Sequence, residues 1–306
     1  MSRFDRRGSH LSRVAWLCAV TVLAVTTLSA FIRLSNAGLG CADWPRCYGQ
    51  RIEAKAGVAR SDASTATAVA RLAHRLLAVV ALVLILLMIM LCFGEPPALR
   101  AQGGIAIALL VLALCLAVLG RWSSGSRVPA ISIGNLIGGF AMLALSLRLA
   151  TGAAAAPPRR LRIAAGAAAL LLLAQVALGG MVSASHAGLS CVGWSDCAAA
   201  AGAIPWSTLD PWREPLLTEG PPFNAAGALS QSIHRGMALA IVLVFLPLAV
   251  MARRRGRPRT AAALIALLAL QLIAGLAMVH GSLPLGLALL HNLLAACLLA
   301  TLFLLV

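Results

Sequence analysis

GLGCADWPRC, residues 38–47, returns in altered form as GLSCVGWSDC at residues 188–197. Both copies keep Gly, Leu, Cys, Trp and Cys at the same internal spacing, and long apolar segments with almost no charge separate and follow them. A cysteine-bracketed loop that occurs twice in one chain indicates that a larger unit of the fold has been duplicated.

The composition is that of a membrane protein. Of the 306 residues, 61% are hydrophobic and 11% are charged, with a mean hydropathy of +0.93, whereas soluble domains are about a quarter charged. A helix needs roughly 20 apolar residues to cross a bilayer. The sequence therefore predicts an all-α integral membrane protein with eight transmembrane helices, at about residues 14–34, 70–93, 103–121, 129–150, 163–184, 230–252, 260–280 and 284–306.

The duplication extends to the helices that follow each loop. RLAHRLL at residues 71–77 corresponds to QSIHRGM at residues 231–237, so a His-Arg pair recurs on the second helix of each half. ISIGNLIGG at residues 131–139 corresponds to LALLHNLLA at residues 287–295, where a shared Asn-Leu pair sets the register. In that register Gly134 takes the position of His291.

These correspondences predict two pseudo-symmetric four-helix bundles. An N-terminal half would cover residues 1–152 and a C-terminal half residues 153–306. The two units would have the same orientation, because four spans return the chain to the side of the membrane on which it began.

The distribution of charge predicts the orientation of the chain. With a cytoplasmic N-terminus, 14 arginines lie on the cytoplasmic side, whereas the opposite side carries seven basic residues and seven acids. This asymmetry follows the positive-inside rule. We therefore predict a multi-pass protein of the cytoplasmic membrane, with both termini cytoplasmic and the cysteine loops outside. The net charge of +16 then reflects topology, and no nucleic-acid-binding surface is expected.

The loop cysteines are expected to be oxidised, since thiols outside the cytoplasm form disulfides. The spacing lets each loop close a small ring, which pairs Cys41 with Cys47 and Cys191 with Cys197. Two interpretations stay open: the disulfides staple the loops, or the cysteines are redox-active and pass electrons inward. The loop tryptophans, Trp44 and Trp194, are typical of a lid at the membrane interface.

Two histidines of the second half lie at matched depth. His234 and His291 fall six or seven residues inside the outer ends of their predicted helices, about 10 Å below the surface at ~1.5 Å per residue. Two neutral imidazoles at equal depth on facing helices are the arrangement that ligates a haem iron from both sides. The alternative is a pair of core histidines bonded to backbone or hydroxyl groups. Arg235 directly follows His234 and is predicted to hold a haem propionate.

The first half repeats only part of this pattern. His74 and Arg75 form the corresponding His-Arg pair, but the partner position holds Gly134, which cannot ligate a metal. Three interpretations stay open: a haem with one protein ligand, a haem-like substrate whose iron needs no second ligand, or a site that has been lost. GNLIGG at residues 134–139 is also typical of close helix packing in lipid. Histidines without a partner at matched depth are assigned no role: His10 and His186, expected outside the spans, and His280.

Three stretches together resemble the haem A synthase family of bacteria and mitochondria: FIRLSNAGLGCADWPRCYG at residues 31–49, the two His-Arg helices, and QLIAGLAMVHGSLPLGLALLHNLLA at residues 271–295. The resemblance runs from about residue 14 to the end of the chain. It implies eight helices in two similar halves and a haem b cofactor in the C-terminal half, in a bacterial inner membrane. It also implies stepwise oxidation of a haem O methyl group to the formyl group of haem A, for terminal oxidase assembly.

Carried over by motif, His234 and His291 match the axial ligands of haem b, and His74 matches one of two histidines in the substrate half. The chain departs from the family at two positions. Gly134 stands where the family has a fourth histidine, and Arg71 stands where it commonly has a glutamate one turn before the first His-Arg pair.

The predicted substrate site is built from His74, which matches the family, together with Arg71 and Asn135. Arg71 and Arg75 supply cations that could clamp a haem propionate. Haem b accepts electrons from an unidentified donor, and another protein delivers haem O. The oligomeric state is left open.

Two other functions stay open at this stage. The first is a b-type electron-transfer or assembly protein without synthase activity, which Arg71 and Gly134 favour. The second is a thiol–disulfide oxidoreductase that uses the external cysteine pairs with a quinone. The histidine pattern has no purpose in the second.

Overall fold

The computed structural model describes residues 3–36, 63–123, 126, 128–152, 157–191, 193–215 and 224–306. These residues form helices and no strand. The helices are α1 (Arg3–Asn36), α2 (Ala63–Phe93), α3 (Arg100–Ser123), α4 (Pro129–Ala150), α5 (Arg159–Ala184), α6 (Trp194–Gly202), α7 (Ala228–Arg254), α8 (Pro258–His280) and α9 (Leu285–Phe303), with two short 3₁₀ turns at Trp206–Leu209 and Ala225–Gly227.

Eight of these helices are long and apolar enough to cross a membrane, which confirms the predicted all-α membrane fold. The ninth, α6, is a short helix in the second cysteine loop. Most of the eight extend past their predicted apolar segments, because polar residues are tolerated where a helix enters the interface. One expectation is corrected as a result: His10 lies within α1 and not before the first span.

Proline marks the beginning of four spans. Pro129 and Pro258 are the first residues of α4 and α8, while Pro158 and Pro284 immediately precede α5 and α9. Proline suits the start of a helix because its φ is already helical and because the first turn leaves its N–H groups without intrahelical partners.

Neighbouring spans pack in two rings of four. In the first ring α1, α2, α3 and α4 contact one another in turn, and α4 closes on α1. In the second ring α5, α7, α8 and α9 do the same, and α9 closes on α5. The rings meet where α9 contacts α4 and α1 and where α4 contacts α5. A duplication that relates the two rings, divided at residues 152 and 153, stays a prediction.

This arrangement places two pairs of helices at opposite corners. In the second ring α7 and α9 lie diagonally, with α5 and α8 between them, and in the first ring α2 and α4 lie diagonally. The two histidines at matched depth, His234 and His291, belong to the diagonal helices α7 and α9. Side chains that point from these helices toward the interior therefore face each other across the ring.

Candidate functional site

His234 lies six residues after the first residue of α7, and two residues of α5 determine its surroundings. The imidazole of His234 packs against Gly179, where an added methyl group would lie 3.0 Å from Cε1 of the histidine. One turn earlier, Gln175 Nε2 donates a hydrogen bond of 2.9 Å to the backbone carbonyl of His234. Gln175 thus ties α5 to α7, while Gly179 leaves room for the imidazole.

His291 lies six residues after the first residue of α9 and has similar neighbours on α8. An added methyl group at Gly275 would lie 3.2 Å from Cε1 of this ring, and Gln271 Nε2 lies 3.0 Å from His291 Nε2. Residues four apart share one face of a helix. The same Gln-x-x-x-Gly arrangement therefore supports each histidine, once on α5 and once on α8.

Four buried polar atoms at this site have no hydrogen-bond partner among the described residues. They are Nδ1 of His234 and His291 and Oε1 of Gln175 and Gln271. Buried polar atoms are usually paired, and each one left unpaired costs about 1–3 kcal/mol. A histidine ring nitrogen is also the commonest protein ligand of a metal. Unpaired atoms concentrated in one place indicate a ligand site.

The protein offers only a partial set of ligands for a metal here. His234 and His291 lie on the diagonal helices α7 and α9, but the described residues contain no group of three or more His, Cys, Asp or Glu side chains that could hold an ion. A metal held by the two histidines would have to bring its remaining ligands, as the iron of a haem does. The two imidazoles, on diagonal helices and each beside a glycine, are the two protein ligands that such a group would need.

The second cysteine loop packs on the helix that carries His234. Cys191 and Cys197 form the predicted disulfide. Arg235 Nη1 lies 3.1 Å from Sγ of Cys197, and Nη2 donates to the carbonyl of Cys191 at 3.3 Å. The cation that was predicted to hold a propionate therefore contacts the disulfide loop, and its propionate role stays a prediction. The pair Cys41–Cys47 and Trp44 lie outside the described residues.

Two more side chains near the start of α7 hold the same loop. Gln231 accepts the N–H of Cys191 at 3.2 Å and donates to the carbonyl of Gly188 at 2.8 Å. Ser232 Oγ donates to the carbonyl of Cys197 at 2.9 Å. The disulfide loop is thus fixed directly to the turn before His234, in agreement with a loop that covers the end of the second ring.

Arg33, which the sequence analysis did not assign, connects the first ring to this site. It lies near the end of α1 and donates to Ser183 Oγ on α5 at 2.5 Å and to Asn292 Oδ1 on α9 at 3.4 Å. Asn292 directly follows His291. The signal in the sequence was an arginine that ends an apolar run, since charges in spans are costly and usually have a specific partner.

In the first ring, leucines of α3 fill the space beside Gly134, the residue that takes the position of His291 in the predicted register. A methyl group added to Gly134 on α4 would lie 2.9 Å from Cδ2 of Leu119 on α3, and one added to Gly138 would lie 2.5 Å from Cδ2 of Leu116. Gly134 and Gly138 therefore receive side chains of α3, while a methyl group added to Gly139 would lie 3.3 Å from Oγ1 of Thr26 on α1. This geometry supports the helix-packing interpretation of GNLIGG.

The other predicted residues of the first ring differ in exposure. His74 on α2 and Asn135 on α4 are partly buried, and their helices lie at opposite corners of the ring. Arg71 and Arg75 are exposed on α2. Whether these four side chains form a substrate site stays a prediction.

Comparison with known proteins adds two findings. The family model COX15-CtaA, described as a cytochrome oxidase assembly protein, matches residues 12–303. The chain is also 29% identical over 325 residues to the heme A synthase of Shewanella oneidensis, and the match covers 95% of this chain and 94% of that protein. Both similarities include the two rings and therefore the site between α7 and α9.

Proposed function

The chain belongs to the COX15-CtaA family of cytochrome oxidase assembly proteins, and on this premise we propose that it is a membrane oxidoreductase that converts haem O into haem A. The similarity to a heme A synthase over nearly the whole chain supports this function. The structural observation that carries it is the pair His234 and His291, each beside a Gln-x-x-x-Gly face and each with a buried nitrogen that lacks a partner among the described residues.

In this proposal the second ring holds haem b through His234 and His291. When bound, haem b supplies one-electron redox chemistry, and the protein supplies position and electrostatics. Gly179 and Gly275 leave space for the two imidazoles. Gln271 restrains the ring of His291 through their 3.0 Å contact.

The substrate half of the proposal is the first ring. His74 would bind haem O from α2, and Asn135 would face it from α4. The guanidinium groups of Arg71 and Arg75 would bind its propionates, since planar N–H forks match carboxylates. Holding the porphyrin by its propionates and iron would fix which methyl group is presented for oxidation.

A second candidate is a b-type electron-transfer or assembly protein without synthase activity. The observation that favours it is Leu119, which fills the space beside Gly134 where a second ligand of the first ring would have to fit. The thiol–disulfide alternative is less well supported for the described pair. Cys191 is 9% exposed and Cys197 is 1% exposed, and exchange requires access to a sulfur atom.

Analysis of bound pigments tests the proposal. The full-length protein is expressed in a host that makes haem O but no haem A, and the membrane haems are extracted and separated by chromatography. We expect haem A or its hydroxylated precursor, which should be absent in the same host with the His74→Ala variant. Haem b with unchanged haem O would overturn the synthase function and support the electron-transfer alternative.

A further inference from the structure

A cavity lined in part by polar side chains lies at the junction of the two rings, away from His234 and His291. Its volume is about 100 Å³, and its wall comes from the end of α4, the turn before α5, the start of α8 and the residue after α9. Four of the lining side chains are polar: Arg148, Thr151, Arg257 and Thr260. The cavity therefore combines groups from both halves of the chain.

The lining groups have the chemistry of a phosphate site. Arg148 and Arg257 bring two guanidinium groups, Thr151 and Thr260 bring two hydroxyls, and none of the lining residues is acidic. Guanidinium forks match phosphate oxygens, and each carries five N–H donors. Arg148 uses one of its nitrogens, Nη1, in a 3.0 Å hydrogen bond to the carbonyl of Gly152, which holds the side chain at the cavity.

The start of α8 adds a second favourable contribution. Arg257 is the residue before the first helical residue, Pro258, and Thr260 lies in the first turn. The first turn of a helix has N–H groups without intrahelical partners and carries the positive end of the helix dipole. An anion in this cavity would lie between that positive end and the guanidinium group of Arg148.

The position of the cavity favours a lipid headgroup as the source of the phosphate. It lies where four membrane-crossing helices begin or end, which is the depth of lipid headgroups. Exposed arginines lie at the ends of the neighbouring helices: Arg159 and Arg160 at the start of α5, Arg254 at the end of α7 and Arg259 in the first turn of α8. Basic pockets between spans at such a face are typical sites for anionic lipids.

We propose that this cavity binds the phosphate of an anionic phospholipid headgroup and thereby links Arg148 of the first ring to Arg257 of the second. The proposal is independent of the function at the histidine site. Because α4 and α9 pack together beside the cavity, the bound lipid would stabilise the junction between the rings.

Reconstituted protein tests this proposal. The full-length protein is placed in nanodiscs of phosphatidylcholine alone or with phosphatidylglycerol, and its unfolding temperature is measured. We expect phosphatidylglycerol to raise the unfolding temperature by roughly 2–4 °C. The double variant Arg148→Gln with Arg257→Gln should lose most of this rise. Native mass spectrometry should show roughly tenfold less retained phosphatidylglycerol for this variant.

A matched double variant controls for loss of charge. Arg160→Gln with Arg254→Gln removes two exposed arginines from the same face but leaves the cavity lining intact, so it should retain the lipid. Equal loss of lipid in both double variants would overturn the proposal. If inorganic phosphate in phosphatidylcholine discs gives the full rise and phosphatidylglycerol gives none, the lipid as occupant is overturned.

Discussion

The corner formed by α8 and α9 in the second ring and the corner formed by α3 and α4 in the first ring are packed in opposite ways. In the second ring a large side chain on α9, His291, packs against a glycine on α8, Gly275. In the first ring a glycine on α4, Gly134, packs against a large side chain on α3, Leu119. The large side chain therefore comes from α9 in the second ring and from α3 in the first. The first ring has not simply lost a histidine, because the space that a histidine would need is already occupied.

The surroundings of His234 in the second ring and those predicted for His74 in the first ring differ less. The cysteine loops place residues 150 positions apart in register, since residue 38 corresponds to residue 188. On α5 the positions near His234 are Gln175 and Gly179, and on α1 the corresponding positions are Val25 and Ser29. Under the predicted duplication, Ser29 is the small residue at the position that Gly179 holds beside His234. The comparison favours a first ring built for one protein ligand.

Replacing one histidine in each ring should produce the largest difference. We expect His291→Ala to abolish the low-spin b-type spectrum, because the variant removes one of the two proposed axial ligands. We expect His74→Ala to keep that spectrum but to stop conversion of haem O. Reduced-minus-oxidised spectra and extracted haem content measure both effects. A normal b-type spectrum in His291→Ala would refute the ligand assignment.

The sequence was sufficient to predict the eight spans and the pair Cys191–Cys197. Hydropathy depends on the residues of one segment, and a disulfide between two nearby cysteines depends on their spacing in the sequence. Neither prediction needs tertiary information. Matched depth of His234 and His291 followed in the same way from counting along two helices. The ends of the helices were less predictable, as His10 in α1 shows, because helical structure continues past the apolar segment.

The supports of the histidines could not be predicted from the sequence. A glutamine and a glycine in an apolar helix give no periodic signal, and the partners of Gln175 and Gln271 lie on other helices. Arg33 shows the same difficulty, since its contact with Asn292 joins residues 259 positions apart. Such contacts depend on how the rings are assembled and not on any local pattern.

Gly275→Leu tests whether the small residue on α8 is needed for haem binding, with a smaller expected effect. At Gly275 an added Cβ alone would lie 3.2 Å from Cε1 of His291, and a leucine side chain extends beyond that atom. Overpacking of this kind costs about 1–3 kcal/mol, so we expect haem content to fall roughly tenfold. Gly166→Leu on α5 is the matched control, because an added methyl group meets nothing within 4 Å there. Equal haem content in the two variants would contradict the role of Gly275.

Replacing Gly134 by histidine and Leu119 by glycine in the first ring should give the smallest and most specific effect. Gly134→His alone places Cβ 2.9 Å from Leu119 Cδ2, so we expect a loss of stability of about 1–3 kcal/mol. Adding Leu119→Gly removes the clash and reproduces the arrangement of His291 and Gly275. We therefore expect the double variant to regain much of the lost unfolding temperature and to bind more low-spin haem than either single variant. Strictly additive effects of the two substitutions would show that Gly134 and Leu119 are not coupled, and the comparison of Gly134–Leu119 with His291–Gly275 would then be wrong.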